Sequence, residues 1–125
     1  VLKGDFDDIV EKTTQHLKNE GFGVLTSIDI KKTFKTKLDI DFKKYTILGA
    51  CNPHFAHNAL QMENKVGTML PCNVIVQELE PNIIEVAAVD PIASMQAIKN
   101  QKLESIANEV SEKLKRAIEN LKNEK

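Results

Sequence analysis

The only two cysteines of the chain, Cys51 and Cys72, are each followed by an asparagine, Asn52 and Asn73, and each pair lies beside a proline. His54 and His57 follow the first pair. Cys51, His54, His57 and Cys72 would supply two thiolates and two imidazoles, the donor set of tetrahedral zinc. His54 and His57 stand at i and i+3 and so share a helix face. Zinc signatures space their cysteines more tightly, however, with about two residues between ligands, whereas these two are 21 positions apart. A thiol redox pair would use Cys51 and Cys72 alone. Cys51 stands just before a predicted helix N-terminus, a place that lowers a thiol pKa, but there is no C-x-x-C. A binding pocket would use Cys51, Asn52, His57, Cys72 and Asn73. A purely structural role is the fourth possibility: buried cysteine packs as a small hydrophobe, Asn52 suits a helix N-cap, and His57 a satisfied structural histidine. Asn73 fits that role least. It opens a strand, where Asn is disfavoured, and a buried amide there needs partners.

The elements that must position these residues follow from periodicity. A first helix is predicted over about Asp5–Glu20, with Phe6, Ile9, Val10, Thr13 and Leu17 on one face. Asp5, Asp7 and Asp8 suit the positive end of its dipole, Gly21 its C-terminal cap, and His16 its solvent face. Phe22–Ile28 reads as a strand, and Asp29 as the cap of a short helix turning Ile30 and Phe34 inward. Tyr45–Cys51 is a second strand. Asn52-Pro53 then opens a helix, with Asn as cap and Pro at the first position, carrying Phe55, Ala56, Ala59, Leu60 and Met62. A loop from Glu63 to Pro71 leads to strand Cys72–Leu79, the turn Glu80-Pro81-Asn82 and strand Ile83–Val89, a hairpin. Asp90-Pro91 repeats the cap-and-proline device before a short helix, Ile92–Ile98. The last helix, about Lys102–Lys122, carries an unbroken apolar stripe from Leu103 to Leu121. Val1 and Leu2 read as the stub of a strand beginning ahead of Val1, since no initiating Met is present.

Clustered strands flanked by long helices predict an α+β fold, a mostly antiparallel sheet with helices on one face. If strands 45–51 and 72–79 are antiparallel neighbours, both Cys-Asn pairs meet at one end of the sheet. The strands are apolar on both sides, as with Ile47 beside Leu48 and Ile83 beside Ile84, so both faces need cover. Two long helices cover one. Short helices or a second copy must cover the other, because each exposed Ile or Val forgoes about 1.5–3 kcal/mol; a homodimer is the expected solution.

At 125 residues the chain is one domain, 1–125. A net charge of -1 provides no general attraction to nucleic acid or acidic membranes. No apolar run approaches the roughly 20 residues of a membrane helix, and no signal-peptide pattern is present; the expected location is cytoplasmic. Lys31, Lys32, Lys35, Lys37, Lys43 and Lys44 are interleaved with Asp29, Asp39 and Asp41, which reads as a solvated mixed-charge face. No nucleophile elbow, phosphate loop or paired catalytic carboxylates occur, so binding is expected ahead of catalysis.

The stretches EGFGVLTSIDI, YTILGACNPHFAHNAL, LPCNVIV and VDP, in that order, resemble the domain of unknown function 302 family over nearly the whole chain. The matched positions are Cys51, Asn52, Pro53, Ala56, His57, Leu70, Pro71, Cys72, Asn73, Asp90 and Pro91. The resemblance implies a β-α-β(4)-α arrangement with a curved, TATA-binding-protein-like sheet of about five strands and extra short helices. It also implies a small, often dimeric protein and a site among these positions, but no reaction. His54 falls outside the shared motif, which weakens the metal set. The expectation is therefore a cytoplasmic homodimer binding a small molecule or ion around the two Cys-Asn pairs. The alternatives are a thiol redox protein using Cys51 and Cys72, and a structural or interaction domain without catalytic activity. No cofactor, nucleic-acid or membrane partner is expected.

Overall fold

The structure, a computed structural model, describes residues 1–95, 98 and 100–124. Five strands form one antiparallel sheet: β1 (Leu2–Lys3), β2 (Gly23–Asp29), β3 (Tyr45–Cys51), β4 (Cys72–Glu80) and β5 (Ile83–Ala88), in the order β1-β5-β4-β3-β2. The helices are α1 (Phe6–Asn19), α2 (Ile30–Leu38), α3 (Pro53–Met62), α4 (Pro91–Met95) and α5 (Gln101–Asn123), with a 3-10 segment over Asn64–Met69. Without the short helices the order is β-α-β(4)-α, an α+β fold.

Local chemistry accounts for the starts and stops. The Asp5 carboxylate accepts the Asp8 amide at 3.2 Å and opens α1. Gly21, at φ +86, ends it in a left-handed conformation that costs glycine nothing. Asp29 caps α2 by accepting the Lys32 amide at 3.0 Å. Asp90 accepts the Ile92 amide at 3.0 Å, so the Asp90-Pro91 device does open α4.

The two long helices lie on one face of the sheet. Phe6, Ile9 and Leu17 of α1 and Val110, Leu114 and Ala117 of α5 pack with Leu48, Ala50, Cys72, Val74, Val76 and Ile84. A smaller cluster of Ala59, Val66, Met95 and Leu103 ties α3, the 3-10 segment and α4 to α5. The short helices after β3 and β5 therefore extend the covered side and leave the other face of the sheet bare.

Four local expectations change. Residues 63–71 are not a plain loop: the Glu63 carboxylate caps the 3-10 segment and Val66 is fully buried. α2 buries no side chain; Phe34 is half-buried, edge-on to Phe42 at 5.1 Å between ring centres. Leu60 and Met62 of α3 are exposed, because the helix turns only its Ala59 edge fully inward. The helix expected over Ile92–Ile98 is described as Pro91–Met95; residues 96 and 97 lie outside the described residues.

Strand register decides what the bare face carries. Ile28 pairs with Ile47, Ile47 with Ile75, and Ile75 with Ala87. Residues that face one another across a ladder share a side of the sheet, so these four make an apolar row straight across it. Ile28 is 46% exposed. Among the described residues no helix is long and apolar enough to cross a membrane.

Candidate functional site

β3 and β4 are antiparallel neighbours, with Ala50 opposite Cys72 and Gly49 opposite Asn73. The two Cys-Asn pairs thus meet at one end of the sheet. Asn52 begins α3, its side-chain oxygen accepting the Phe55 amide at 3.4 Å. Its amide nitrogen lies 3.0 Å from the point where a side chain on Gly21 would begin, so α1 ends against the cap of α3.

Gly49 is enclosed on the other side of β3. A Cβ there would stand 2.2 Å from the Thr26 hydroxyl and 2.9 Å from the Pro71 ring. Pro71, joined to Leu70 by a cis peptide, lies across β3 just before β4 starts.

A cavity of about 30 Å³ opens at this end of the core. Cys51, Asn52 and Cys72 line it together with apolar side chains, among them Phe22, Phe55 and Met95. The volume exceeds the about 10–15 Å³ that one water needs and falls far below the roughly 300–1,000 Å³ of a pocket for a drug-sized ligand.

The expected site residues divide. Cys51, Asn52 and Cys72 reach the cavity. His57 does not: it is exposed on α3 and pairs with Gln61 at 3.2 Å. Asn73 alternates to the bare face of the sheet and is exposed, so it has no buried amide to satisfy. His54 is exposed as well. Among the described residues no three His, Cys, Asp or Glu side chains are placed to hold a metal, so Cys51, His54, His57 and Cys72 are not assembled into a ligand set. Helical spacing sends both histidines outward, while strand alternation sends Cys72 inward.

The thiols also depart from expectation. Burial raises the Cys51 pKa rather than leaving it low. Burial pushes Cys72 up to about 11, and the neighbouring Cys51 adds to the shift. Both are free and both are protonated at neutral pH, whereas the thiolate is the nucleophile in disulfide exchange. Cys72 faces Ala50 across the ladder rather than Cys51.

The shift of Cys72 has a measurable consequence. The folded state holds this proton more tightly than the unfolded chain does. The stabilisation is complete below the unfolded thiol's pKa, near 9.0, and is lost as pH rises toward about 11. The urea midpoint of the native protein should therefore keep a constant offset from that of Cys72→Val at neutral pH and fall relative to it through that window. Parallel curves up to pH about 11 would count against a buried, protonated Cys72.

Phe22, Met95 and Val110, all part of the cavity wall, were not singled out as site residues from the sequence. Val110 was legible only as one position of the α5 stripe, and Phe22 only as the residue after the Gly21 cap. Nothing local marks them as neighbours of Cys51.

A family model for the domain of unknown function DUF302 matches residues 1–121. None of the curated proteins matches the chain. Among solved structures, the chain is similar to the crystal structure of an uncharacterized conserved DUF302 protein from Bacillus stearothermophilus. The two are 26% identical, with a TM-score of 0.86 over 94% of this chain and 91% of that one.

Proposed function

We propose, since the chain belongs to the DUF302 family and that description carries no activity, that it is a homodimeric binding module without catalytic chemistry. Two copies join through the bare sheet face, and the Cys51–Cys72 cavity, at the end of the covered face, has room only for a guest of about one or two heavy atoms. The uncovered row Ile28–Ile47–Ile75–Ala87 carries this reading. The row is continuous across four strands, and burying such surface contributes about 25 cal/mol per Å². Contiguous exposed apolar surface rimmed by polar residues is a feature of association sites.

The cavity supports binding over reaction. Its wall is apolar apart from Asn52 and two protonated thiols, and the Asn52 oxygen is already committed to capping α3. Catalysis of the general acid–base kind needs a titrating group within hydrogen-bond reach of the reacting atom, and neither His54 nor His57 lines this space.

The decisive measurement is the mass in solution by sedimentation equilibrium. The native chain should sediment as a dimer, and Ile75→Lys, which puts a charge in the middle of the row, as a folded monomer with an unchanged far-ultraviolet spectrum. A native chain that is monomeric at tens of micromolar rules the proposal out.

A further inference from the structure

The outer edge of β5 is paired over its first two residues only. β1 sets Leu2 opposite Ile84 and Lys3 opposite Ile83, and among the described residues no strand stands beside Glu85–Ala88 on that side. The ladder with β4 decides which backbone groups are left there. Val89 donates its amide to the Asn73 carbonyl at 3.0 Å, and hydrogen-bonded and non-hydrogen-bonded pairs alternate along an antiparallel ladder. Ala87 and Glu85 therefore also turn to β4, whereas Val86 and Ala88 each turn an N–H and a C=O outward. Such a row is the chemistry that recognises another extended backbone. β2, the edge strand on the opposite side of the sheet, carries a bulge at Leu25, a device that blunts edges. β5 carries none from Glu85 to Ala88.

The space beside this edge is divided at the repeat of a strand. Val86 and Ala88 pair with Val76 and Val74, both fully buried, so they lie on the covered side. A residue opposite either one shares that side and meets α5. Beside Val86 is a cavity of about 40 Å³ between Leu2, Ile118 and Leu121. Beside Ala88 is a groove of about 350 Å³ walled by Val89, Ser111, Leu114 and Ile118. Ile118 lines both spaces. A residue opposite Ala87, between them, falls on the bare side.

We infer that the outer edge of β5, with the groove along α5, seats polypeptide that continues β1 ahead of Val1. Continued backward from Leu2, the register sets Val1 opposite Glu85 and the next residues opposite Val86, Ala87 and Ala88. The residues opposite Val86 and Ala88 take up the outward backbone groups and place their side chains in the cavity and the groove, so both are apolar. A strand in this lane runs in the direction of β1 and ends one peptide bond short of Val1. A second copy or a free peptide must stop at that same point, and it gives up translational freedom to do so. A segment joined to Val1 meets both conditions at no such cost.

Two extensions of equal composition test the inference. Thr-Val-Thr-Val joined ahead of Val1 places its valines over α5; Val-Thr-Val-Thr places them on the bare side, because side chains alternate with a period of two. Amide hydrogen exchange and urea midpoints of both proteins are compared with those of the unextended chain. In the first, Val86 and Ala88 should exchange at least about tenfold more slowly, with a raised midpoint; in the second, neither should change. A free amidated Thr-Val-Thr-Val at about 1 mM, the scale of effective concentration that a short flexible tether provides, should protect neither amide. Amides left fast by the in-phase extension, or slowed equally by either phase, overturn the inference. Protection by the free peptide equal to that by the joined one assigns the edge to a separate polypeptide. Protection that rises with concentration of the unextended chain assigns it to a second copy. Either result overturns the continuation of β1.

Discussion

Gly49→Ala is expected to destabilise the protein by about 3 kcal/mol, the upper part of the overpacking range. The usual rule for a glycine inside a strand has the opposite sign, because alanine loses less entropy on folding and gains about 0.5–1 kcal/mol. Here the new Cβ would stand 2.2 Å from the Thr26 hydroxyl and 2.9 Å from the Pro71 ring. Thr26 is the paired residue on β2, just beyond the bulge at Leu25, and Pro71 leads into β4. Three segments therefore converge on the space that Gly49 leaves. Thr26→Gly in the same chain removes the closer obstruction, so the double variant should recover a large part of the loss and show strong non-additivity. Urea denaturation measures both. A Gly49→Ala protein within 0.5 kcal/mol of native, about the noise of a neutral surface change, would mean that Pro71 does not lie over β3.

Phe22→Ala is expected to cost about 3–5 kcal/mol, as for other buried aromatic truncations. Phe22 is 2% exposed and belongs both to the main core and to the cavity wall. Its amide donates to the Leu17 carbonyl at 2.9 Å, which holds the ring under the end of α1. Removing the ring enlarges a cavity of about 30 Å³ by the volume of a phenyl group. An apolar cavity of about 150 Å³ stays dry and takes up benzene. Thermal unfolding of the variant should accordingly shift upward in saturating benzene, by the linkage between binding and folding, while the native protein shows no shift because its cavity is too small. A variant equally destabilised with and without benzene would show that α3 and α4 collapse into the gap, and that this end of the core is not preformed for a guest.

The sheet, its hairpin and the two long helices were legible in the sequence because their signals are local. Period-two apolar runs in β3 and β4, a stripe of period 3.6 in α5, and the caps Asp5, Asp29, Asn52 and Asp90 each act within a few residues. The meeting of Cys51 with Cys72 was legible as well, as a consequence of antiparallel pairing. The 3-10 segment was missed because its only apolar anchor is Val66, a single residue with no period. The helical spacing of Ile30 and Phe34 predicts an inward face for α2, but spacing specifies a face and not what the face meets.

What the chain determined by itself is the fold class, the element order and the fact that both sides of the sheet are apolar. These depend on propensity and pattern, which are properties of neighbours in sequence. Tertiary structure alone decided which of the five candidate residues share a space. Cys51, Asn52 and Cys72 line one cavity, while helix phase sends His57 and strand alternation sends Asn73 away from it. It alone decided the direction in which the thiols shift as well: burial raises the pKa of both Cys51 and Cys72. Desolvation depends on everything packed around an atom, and that is settled only when distant segments meet.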